Sequence, residues 1–362
     1  MAIRELKITP DPDFGRIEKV LGRQGVPDRV PFFELFSNIQ TEVLRAIGKA
    51  GEAPGAGLSD RDRLDYELQQ HIMYMYSLGY DYVNVRAANF RFPQNERQKT
   101  MTAQGERGYM LGASHTIADR KDFETYPWPE VSAIDYAPLE RVARFLPEGM
   151  KVITIGPGGV LENVMWLLGY EGISYLLYDD EPLVRDMFDA VASRMVAYFD
   201  ALASFDVVGA LALGDDMGFK TQTLLSPEIY REYVFPWYKK LVDTAHRHGK
   251  PMILHSCGNL EEVMADIIDC GWDARHSFED SIQPVWEAKE RYGDRIAVLG
   301  GFDMDKVCRM SEPEVREHTR VLIEKCAPGG GWALGTGNSV ANYVPAGNFL
   351  TMLEEGYRAG RY

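Results

Sequence analysis

Short apolar runs rich in β-branched residues alternate with longer stretches of helical periodicity from about residue 28 onward. Runs of this kind are typical of strands buried on both faces of a parallel sheet, and the stretches between them suit crossover helices. The pattern predicts eight strands, at 30–36, 80–87, 152–156, 207–213, 251–255, 274–278, 296–300 and 332–335. Eight alternations in 362 residues favour a closed (β/α)8 TIM barrel over an open doubly wound sheet, and no G-x-G-x-x-G motif follows the first strand.

The helix starts and one long interruption complete this prediction. Ser226-Pro-Glu and Ser311-Glu-Pro-Glu each combine a capping serine with a proline in the first turn. Residues 1–362 are predicted to form a single domain with an N-terminal extension, and about 89–129 is predicted to be an insertion after strand two. It contains a hairpin turned at Gly105 to Gly108. An insertion there would lie over the barrel mouth, where it either shapes the active site or only caps the barrel or meets a partner subunit.

Composition and charge exclude several classes of function. The chain is 45% hydrophobic and 26% charged, and its formal net charge is −15, which argues against general binding to nucleic acid or to anionic lipid. The chain shows no signal-peptide pattern and no apolar run of transmembrane length, so we expect a cytoplasmic protein without a membrane partner. Its four cysteines are single and far apart, as expected of reduced thiols.

A His-x-Cys pair followed by glycine ends the fifth predicted strand. Residues i and i+2 of an extended chain point the same way, so His255 and Cys257 can reach a common point above the strand. Glu279, at the end of the next predicted strand, offers a carboxylate. Imidazole, thiolate and carboxylate suit zinc, and three protein ligands with an open position are typical of a catalytic site. The alternative is a small buried cysteine packed beside a core histidine.

Other polar residues lie at predicted strand ends, where the chemistry of a TIM barrel gathers. Arg86, Asp216 and Asp303 are candidates for catalysis and for orienting a substrate, and Asn84 and Asn338 are candidates for binding it. For each of them, a solvated loop position or a helix cap is the alternative, because such residues favour turns and caps.

Aromatic residues near the predicted mouth have two interpretations as well. Phe90, Phe92, Phe219 and Tyr343 would either line a substrate pocket, for which Phe219 is the candidate we retain, or belong to the core.

Five motifs, spread over nearly the whole chain, resemble the uroporphyrinogen decarboxylase superfamily. They are Arg29-Val-Pro-Phe, Leu225-Ser-Pro-Glu-Ile-Tyr-Arg-Glu-Tyr-Val-Phe-Pro-Trp-Tyr, Lys250-Pro-Met-Ile-Leu-His-Ser-Cys-Gly-Asn, Leu299-Gly-Gly-Phe-Asp and Gly329-Gly-Gly-Trp-Ala-Leu-Gly-Thr-Gly-Asn. The resemblance implies a TIM barrel and suggests a homodimer. The superfamily contains true decarboxylases, zinc-dependent methyltransferases that work with corrinoid proteins and, more distantly, the barrel of cobalamin-independent methionine synthase.

The motifs are closest to the methyltransferase branch. The decarboxylases carry an arginine-rich Arg-Gln-Ala-Gly-Arg loop after the first strand, where this chain has Phe33-Glu-Leu-Phe-Ser-Asn38. They also carry an Asp after Phe-Ser on the second strand, where this chain has Tyr82-Val-Asn-Val-Arg86. The zinc motif of the methyltransferases begins with His-x-Cys, and the methionine synthase relatives have a Glu at a spacing like that of Glu279. The usual last ligand is a Cys after strand eight, and Asn338 stands at that position here.

The resemblance therefore implies a methyltransferase with zinc at His255, Cys257 and Glu279. It would move a methyl group between a small ether, amine or thiol and a cobalamin-type corrinoid carried by a partner protein. A metal-free decarboxylase or lyase acting on a smaller carboxylic acid is the alternative activity. A barrel that only binds a ligand or a partner is the non-enzymatic alternative.

Overall fold

The structure, a computed structural model, describes residues 3–51, 57–94, 98–102, 105–109 and 115–362. For 98–102 and 105–109 it describes the backbone.

Seven parallel strands form one curled sheet, and their spatial order is their order along the chain: Tyr82–Asn84, Lys151–Ile155, Val208–Gly214, Met252–His255, Ala274–His276, Ala297–Leu299 and Trp332–Ala333. They match seven of the eight predicted strands, which confirms those predictions and the TIM-barrel class. The strand bounds are β1 Tyr82–Asn84, β2 Gln98–Thr102, β3 Gly105–Tyr109, β4 Lys151–Ile155, β5 Val208–Gly214, β6 Met252–His255, β7 Ala274–His276, β8 Ala297–Leu299 and β9 Trp332–Ala333.

The first predicted strand, 30–36, pairs with β9 through a parallel bridge between Phe32 and Leu334 instead of a regular ladder. On its other side, the Tyr82 hydroxyl of β1 donates to the Glu34 carbonyl and accepts from the Glu34 N–H, both at 2.8 Å. This segment therefore lies between β9 and β1 and completes the eight-stranded barrel. A side chain replaces the backbone ladder at this seam.

Helices follow most barrel strands and cover the outside of the sheet. The predicted starts are confirmed. Ser311 caps the helix Glu312–Cys326, and the helix that begins after Ser226 passes through a π-helical segment, Tyr230–Val234, before it continues as Phe235–Arg247. The helix bounds are α1 Gly15–Leu21, α2 Gln40–Ala46, α3 Asp60–Ser77, α4 Arg120–Thr125, α5 Ala137–Val142, α6 Val160–Leu168, α7 Tyr170–Asp179, α8 Glu181–Ala203, α9 Pro227–Ile229, α10 Phe235–Arg247, α11 Met264–Asp269, α12 Val285–Tyr292, α13 Met304–Arg309, α14 Glu312–Cys326 and α15 Ala346–Ala359.

The N-terminal extension is tied to the bottom of the barrel by buried Asp81, which directly precedes β1. Its carboxylate accepts from Arg16 at 2.9 Å, from Arg29 at 3.0 Å and from the backbone N–H of Asp13 at 2.9 Å. A buried carboxylate is tolerated when it is paired and hydrogen-bonded in this way. These contacts hold the N-terminal extension against the amino-terminal end of β1.

The predicted hairpin is present as β2 and β3, but its turn lies elsewhere. The antiparallel register pairs Thr102 with Gly105, so the connection is residues 103–104, which lie outside the described part of the chain. Gly105 and Gly108, predicted as the turn, belong to β3 instead. None of the described helices is both long and apolar enough to cross a lipid bilayer.

Rings fill the upper interior of the barrel. Phe33 contacts Tyr82 and His276, with ring centroids at 6.0 and 5.4 Å, and His276 in turn lies 4.9 Å from His255. All four side chains are at least nine-tenths buried. The two histidines therefore lie at the carboxyl ends of β6 and β7, and His276 packs directly against the buried ring of Phe33.

A candidate metal centre at the barrel mouth

Asp216, His255 and Cys257 form a compact cluster at the carboxyl ends of β5 and β6. One ligand atom from each lies within 4.8 Å of the others. His255 Nε2 lies 3.6 Å from Cys257 Sγ and 3.8 Å from Asp216 Oδ1. We call these three residues the Asp-His-Cys cluster. The structure thus brings together the two predicted ligands His255 and Cys257, and it adds a carboxylate that the sequence suggested only as a catalytic group.

Two loops that approach each other closely hold the cluster. The backbone N–H of Cys257 donates to Asp216 Oδ1 at 2.9 Å, which ties the thiol-bearing loop to the carboxylate-bearing loop. Gly258 has a φ of +90°, and a Cβ at this position would lie 2.2 Å from the backbone of Gly218. Only glycine allows both this conformation and this approach. The glycine after the His-x-Cys pair is therefore part of how the cluster is assembled.

A second histidine, His276 of β7, sets the orientation of His255. His276 Nε2 lies 3.1 Å from the carbonyl oxygen of Thr336, which can only accept, so this nitrogen carries the hydrogen. Burial lowers the pKa of His276 well below its ordinary value, so His276 Nδ1 is left as an acceptor. It lies 2.7 Å from His255 Nδ1, which must then donate. His255 Nε2 consequently presents its lone pair to Cys257 and Asp216, as a metal ligand does.

A buried carboxyl group continues this chain of hydrogen bonds. Glu34 accepts from the Thr336 N–H at 2.7 Å, and its second oxygen lies 2.6 Å from Thr336 Oγ1. The same hydroxyl contacts the carbonyl of Asn338. Because a hydroxyl has one hydrogen, it can donate to only one of these two oxygens. A protonated Glu34 satisfies both contacts, and burial raises its pKa to about 8.

The electrostatics of the cluster suit a bound cation. Burial lowers the pKa of His255 to about 4, with a smaller contribution from the charge of Arg275, so its imidazole is neutral at pH 7. Burial raises the pKa of the Cys257 thiol, and the charge of Asp216 adds to this effect. A divalent cation would stabilise the Cys257 thiolate against both effects, the loss of solvent and the repulsion by the Asp216 charge. Sulfur, nitrogen and oxygen donors together fit zinc and argue against magnesium or calcium.

Glu279, predicted as the third ligand, is not grouped with the cluster in the described part of the structure. Ser277, two residues before it, has its hydroxyl 3.7 Å from Cys257 Sγ. Glu279 instead lines two clefts at the mouth. Phe278, between Ser277 and Glu279, donates its backbone N–H to the carbonyl of Gly337 at 3.0 Å, which ties the loop after β7 to the loop after β9. A ligand role for Glu279 stays a prediction.

Two of the remaining predicted residues lie near the cluster or close to the mouth. Asn338 donates from Nδ2 to Cys257 Sγ at 3.2 Å, so the residue at the position of the expected last ligand contacts the thiol. Asp303 caps α13 by accepting from the N–H groups of Asp305 and Lys306, the alternative that its residue type allowed. It also lines a cleft of about 1,110 Å³ together with Asn338.

Three other predicted residues are placed outside the cluster. The Arg86 guanidinium lies over the ring of Phe36 at 4.3 Å. Asn84 Nδ2 is buried and, among the described residues, has no hydrogen-bond partner. Phe219 is 51% exposed, with its ring edge-on to Tyr170 at 6.5 Å. The substrate roles of these residues stay predictions.

The other aromatic candidates divide between core and mouth. Phe90 and Phe92 are buried, and Phe90 stacks on Tyr198 at 4.5 Å, so they belong to the core. Tyr343 is 43% exposed and lines the 1,110 Å³ cleft.

Residues 139–358 match the sequence profile of a known family, described as uroporphyrinogen decarboxylase (URO-D). The chain belongs to the URO-D family. This membership confirms the resemblance drawn from the five sequence motifs.

The proteins to which this chain is similar include methyltransferases and uroporphyrinogen decarboxylases. The chain is 28% identical over 158 residues to a methylated-thiol–coenzyme M methyltransferase of Methanosarcina mazei, covering 43% of this chain and 41% of that protein. It is 26% identical over 199 residues to a uroporphyrinogen decarboxylase of Thioalkalivibrio sulfidiphilus, covering 52% of each. The chain spans about half the length of the curated relatives it matches.

The fold is shared with a solved methyltransferase from Methanosarcina mazei. The TM-score is 0.67, the sequence identity is 14%, and the match covers 98% of each chain. At this identity the likeness establishes the fold alone. The URO-D barrel of this chain is therefore shown.

Proposed function

We propose that this URO-D family protein is a methyltransferase, with zinc bound at Asp216, His255 and Cys257. The observation that carries the proposal is the Asp-His-Cys cluster itself: three donors of different chemistry converge at the barrel mouth, and the lone pair of His255 is directed at the other two. Three protein ligands leave an open position for a substrate atom, as in catalytic zinc sites.

The residues of the chain have separate tasks in this proposal. His255 and Cys257 hold the metal through nitrogen and sulfur, and Asp216 contributes a carboxylate whose side chain is 44% exposed toward the mouth. Zinc, when bound, supplies a Lewis acid that keeps a substrate thiol ionised or polarises the heteroatom of an ether or amine. Asn338, at 3.2 Å from the thiol, stabilises negative charge on sulfur by donating a hydrogen bond.

The segment Phe33–Asn38, which begins within the first predicted strand, favours this activity over decarboxylation of a porphyrinogen. Phe33, Glu34 and Leu35 are buried in the barrel, at the place where the decarboxylases of the resemblance carry an arginine-rich loop. A polyanionic tetrapyrrole requires several cationic groups to hold its carboxylates. The relatives named above include both activities, so the cluster and this segment are what favour the methyltransferase.

Four further proposals accompany this function. The methyl group is exchanged with a corrinoid carried by a separate protein, the enzyme works in the cytoplasm, and it forms a homodimer. The small molecule that exchanges the methyl group with the corrinoid is an ether, an amine or a thiol.

Metal analysis of protein purified without chelator tests the proposal first. We expect about one zinc per chain in the wild type and almost none in a His255→Ala, Cys257→Ala double variant. Cys308→Ala is the control, because Cys308 is a half-buried free cysteine that is not part of the cluster. Its zinc content should equal that of the wild type.

Turnover is then measured by following the cobalamin absorbance in the presence of methylated ethers, amines and thiols. Transfer that needs both the metal and the cluster residues supports the proposal. Wild-type protein without metal, or activity unchanged in the double variant, would refute it. Release of carbon dioxide from a small acid by the metal-free protein would establish the decarboxylase alternative.

A further inference from the structure

A small cleft lies on the outer side of β7, next to the Asp-His-Cys cluster. It has a volume of about 200 Å³. Successive residues of a strand point to opposite faces. His276 points into the barrel, so its neighbour Arg275 points outward into this cleft. Ser277 also lines the cleft, and its hydroxyl lies 3.7 Å from Cys257 Sγ. The cleft and the cluster thus share a wall.

Arg275 is buried in this wall without a carboxylate partner. It is 5% exposed, and among the described residues its one hydrogen-bond contact is weak, from Nη1 to Met264 Sδ at 3.9 Å. Its Nε has no hydrogen-bond partner in the described structure. The ring of Phe278, 4.8 Å from the guanidinium carbon, offsets part of the charge. Buried arginines are almost always paired, because an uncompensated buried charge is costly.

The other polar groups of the cleft include neutral hydrogen-bond donors. Ser277, Gln283 and Tyr292 all line it, and each carries an O–H or N–H group. A buried guanidinium with neutral hydrogen-bond donors beside it can bind an oxyanion. The volume is below the roughly 300 Å³ at which sites for drug-sized ligands begin, so the group that fits is small.

We propose that this cleft binds a small oxyanion, a carboxylate, sulfonate or phosphate group, which pairs with the guanidinium of Arg275. The three groups share the chemistry that a planar guanidinium recognises, two oxygens set side by side. The oxyanion is either a free ion or the acidic end of a larger molecule. The inference does not depend on the proposed methyl transfer, because Arg275 and the cleft exist whether or not zinc is bound.

Acidic side chains also line the cleft and are part of the test. Glu261 is paired with Arg291 at 2.5 Å, at the exposed rim. Glu279 and Glu287 make no ion pair with Arg275 among the described residues, although both line the same cleft. An oxyanion in solution has to bind in preference to these two carboxylates.

Isothermal titration of the chelator-treated protein with acetate, sulfate and inorganic phosphate, in a low-salt buffer, measures this binding directly. We expect one-to-one binding of at least one of the three ions to the wild type, and at least tenfold weaker binding to Arg275→Gln. Arg291→Gln is the matched control, because it removes the same charge from the rim of the same cleft. Its affinity should stay within about twofold of the wild type.

Three results would overturn the inference: no binding of any ion to the wild type, equal affinity in Arg275→Gln, or equal loss in the rim control. If Arg275→Gln does not fold, Arg275→Lys keeps the charge but lacks the planar fork, and it should still weaken binding. Binding by Glu279→Gln but not by the wild type would show that Glu279 is the native partner of Arg275, and this outcome also rejects the proposal.

Zinc content separates this inference from the proposed function. Arg275→Gln should retain the same zinc content as the wild type, since Arg275 contributes no ligand atom to the cluster. Loss of zinc together with unchanged ion binding would mean that the charge of Arg275 serves the Cys257 thiolate instead. Absence of zinc in the wild type would reject the methyltransferase proposal and leave the oxyanion result standing.

Discussion

Replacing Glu34 with glutamine should remove a pH-dependent loss of stability in this barrel. The carboxyl group is 2% exposed, and burial raises its pKa from 4.5 to about 8. Glutamine reproduces the protonated form: its oxygen accepts from the Thr336 N–H, and its amide donates to Thr336 Oγ1, which is then free to donate to the carbonyl of Asn338. We therefore expect Glu34→Gln to fold and to keep this network.

The direction of the effect follows from which state releases the proton first. Below pH 4.5 the group is protonated in both states, and wild type and variant should differ little. Between about pH 4.5 and 8 the unfolded chain loses this proton while the folded protein keeps it, so the wild type loses stability as the pH rises. Above about pH 8 the folded protein also ionises, and the loss levels off.

The magnitude follows from the two pKa values. Each tenfold change in proton affinity corresponds to about 1.4 kcal/mol, so raising the pKa from 4.5 to about 8 makes up to about 5 kcal/mol. The stability of Glu34→Gln relative to the wild type should therefore increase by about 1.4 kcal/mol per pH unit across this range. By pH 8 the variant should be the more stable protein by a few kcal/mol.

Urea unfolding of both proteins at pH 5, 6, 7, 8 and 9 measures this difference, because groups that titrate identically in the two proteins cancel. The unfolding must first be shown to be reversible. A difference in unfolding free energy that stays constant from pH 5 to 8 would refute the reasoning. A variant that is less stable at every pH by the same amount would show that Glu34 is ionised in the folded protein.

Three further changes test the cluster and its supports. His276→Leu leaves the Nδ1–H of His255 without its acceptor. We expect roughly 10–100-fold weaker zinc binding in a competition assay with a chromogenic chelator. An unchanged zinc affinity would count against the role of this hydrogen bond. Asn338→Cys replaces the amide that lies 3.2 Å from Cys257 Sγ with a second thiol. It should tighten zinc binding at least tenfold in the same assay, and weaker binding would contradict this expectation. Gly258→Ala puts a Cβ 2.2 Å from the backbone of Gly218 at a φ of +90° and should cost at least about 2 kcal/mol by urea unfolding, whereas a neutral result would show that the two loops can separate.

The sequence predicted the barrel because its chemistry is repetitive. Strands buried on both faces must be apolar throughout, and parallel strands need long connections, so each β/α unit leaves the same pattern in the chain. Seven strands appear where that pattern predicts them. The segment 30–36 is harder to assign to a ladder, because its contact with β1 runs through the side chain of Tyr82, which no periodicity reveals.

The sequence also indicated the His-x-Cys pair, because both residues belong to one strand end and their spacing is local. What completes the cluster depends on which strands are neighbours. The parallel registers pair Gly214 with His255 and His255 with His276, so Asp216 and His276 come to the same level from positions far apart in the chain. Glu279 is close to His276 in sequence, yet it is not grouped with the cluster in the described part of the structure.

The protonation and pairing of the buried groups were decided by tertiary structure alone. Nothing in the residue types distinguishes Glu34, which lies in a closed interior, or Arg275, which lies in a cleft without a partner, from ordinary surface charges. The protonation of Glu34 and the pairing of Arg275 depend on how far folding removes each group from water and on which charges it brings beside it. Local sequence determined the elements and the type of chemistry in this protein, and the packing of distant strands determined where that chemistry has its ligands, its charge and its open space.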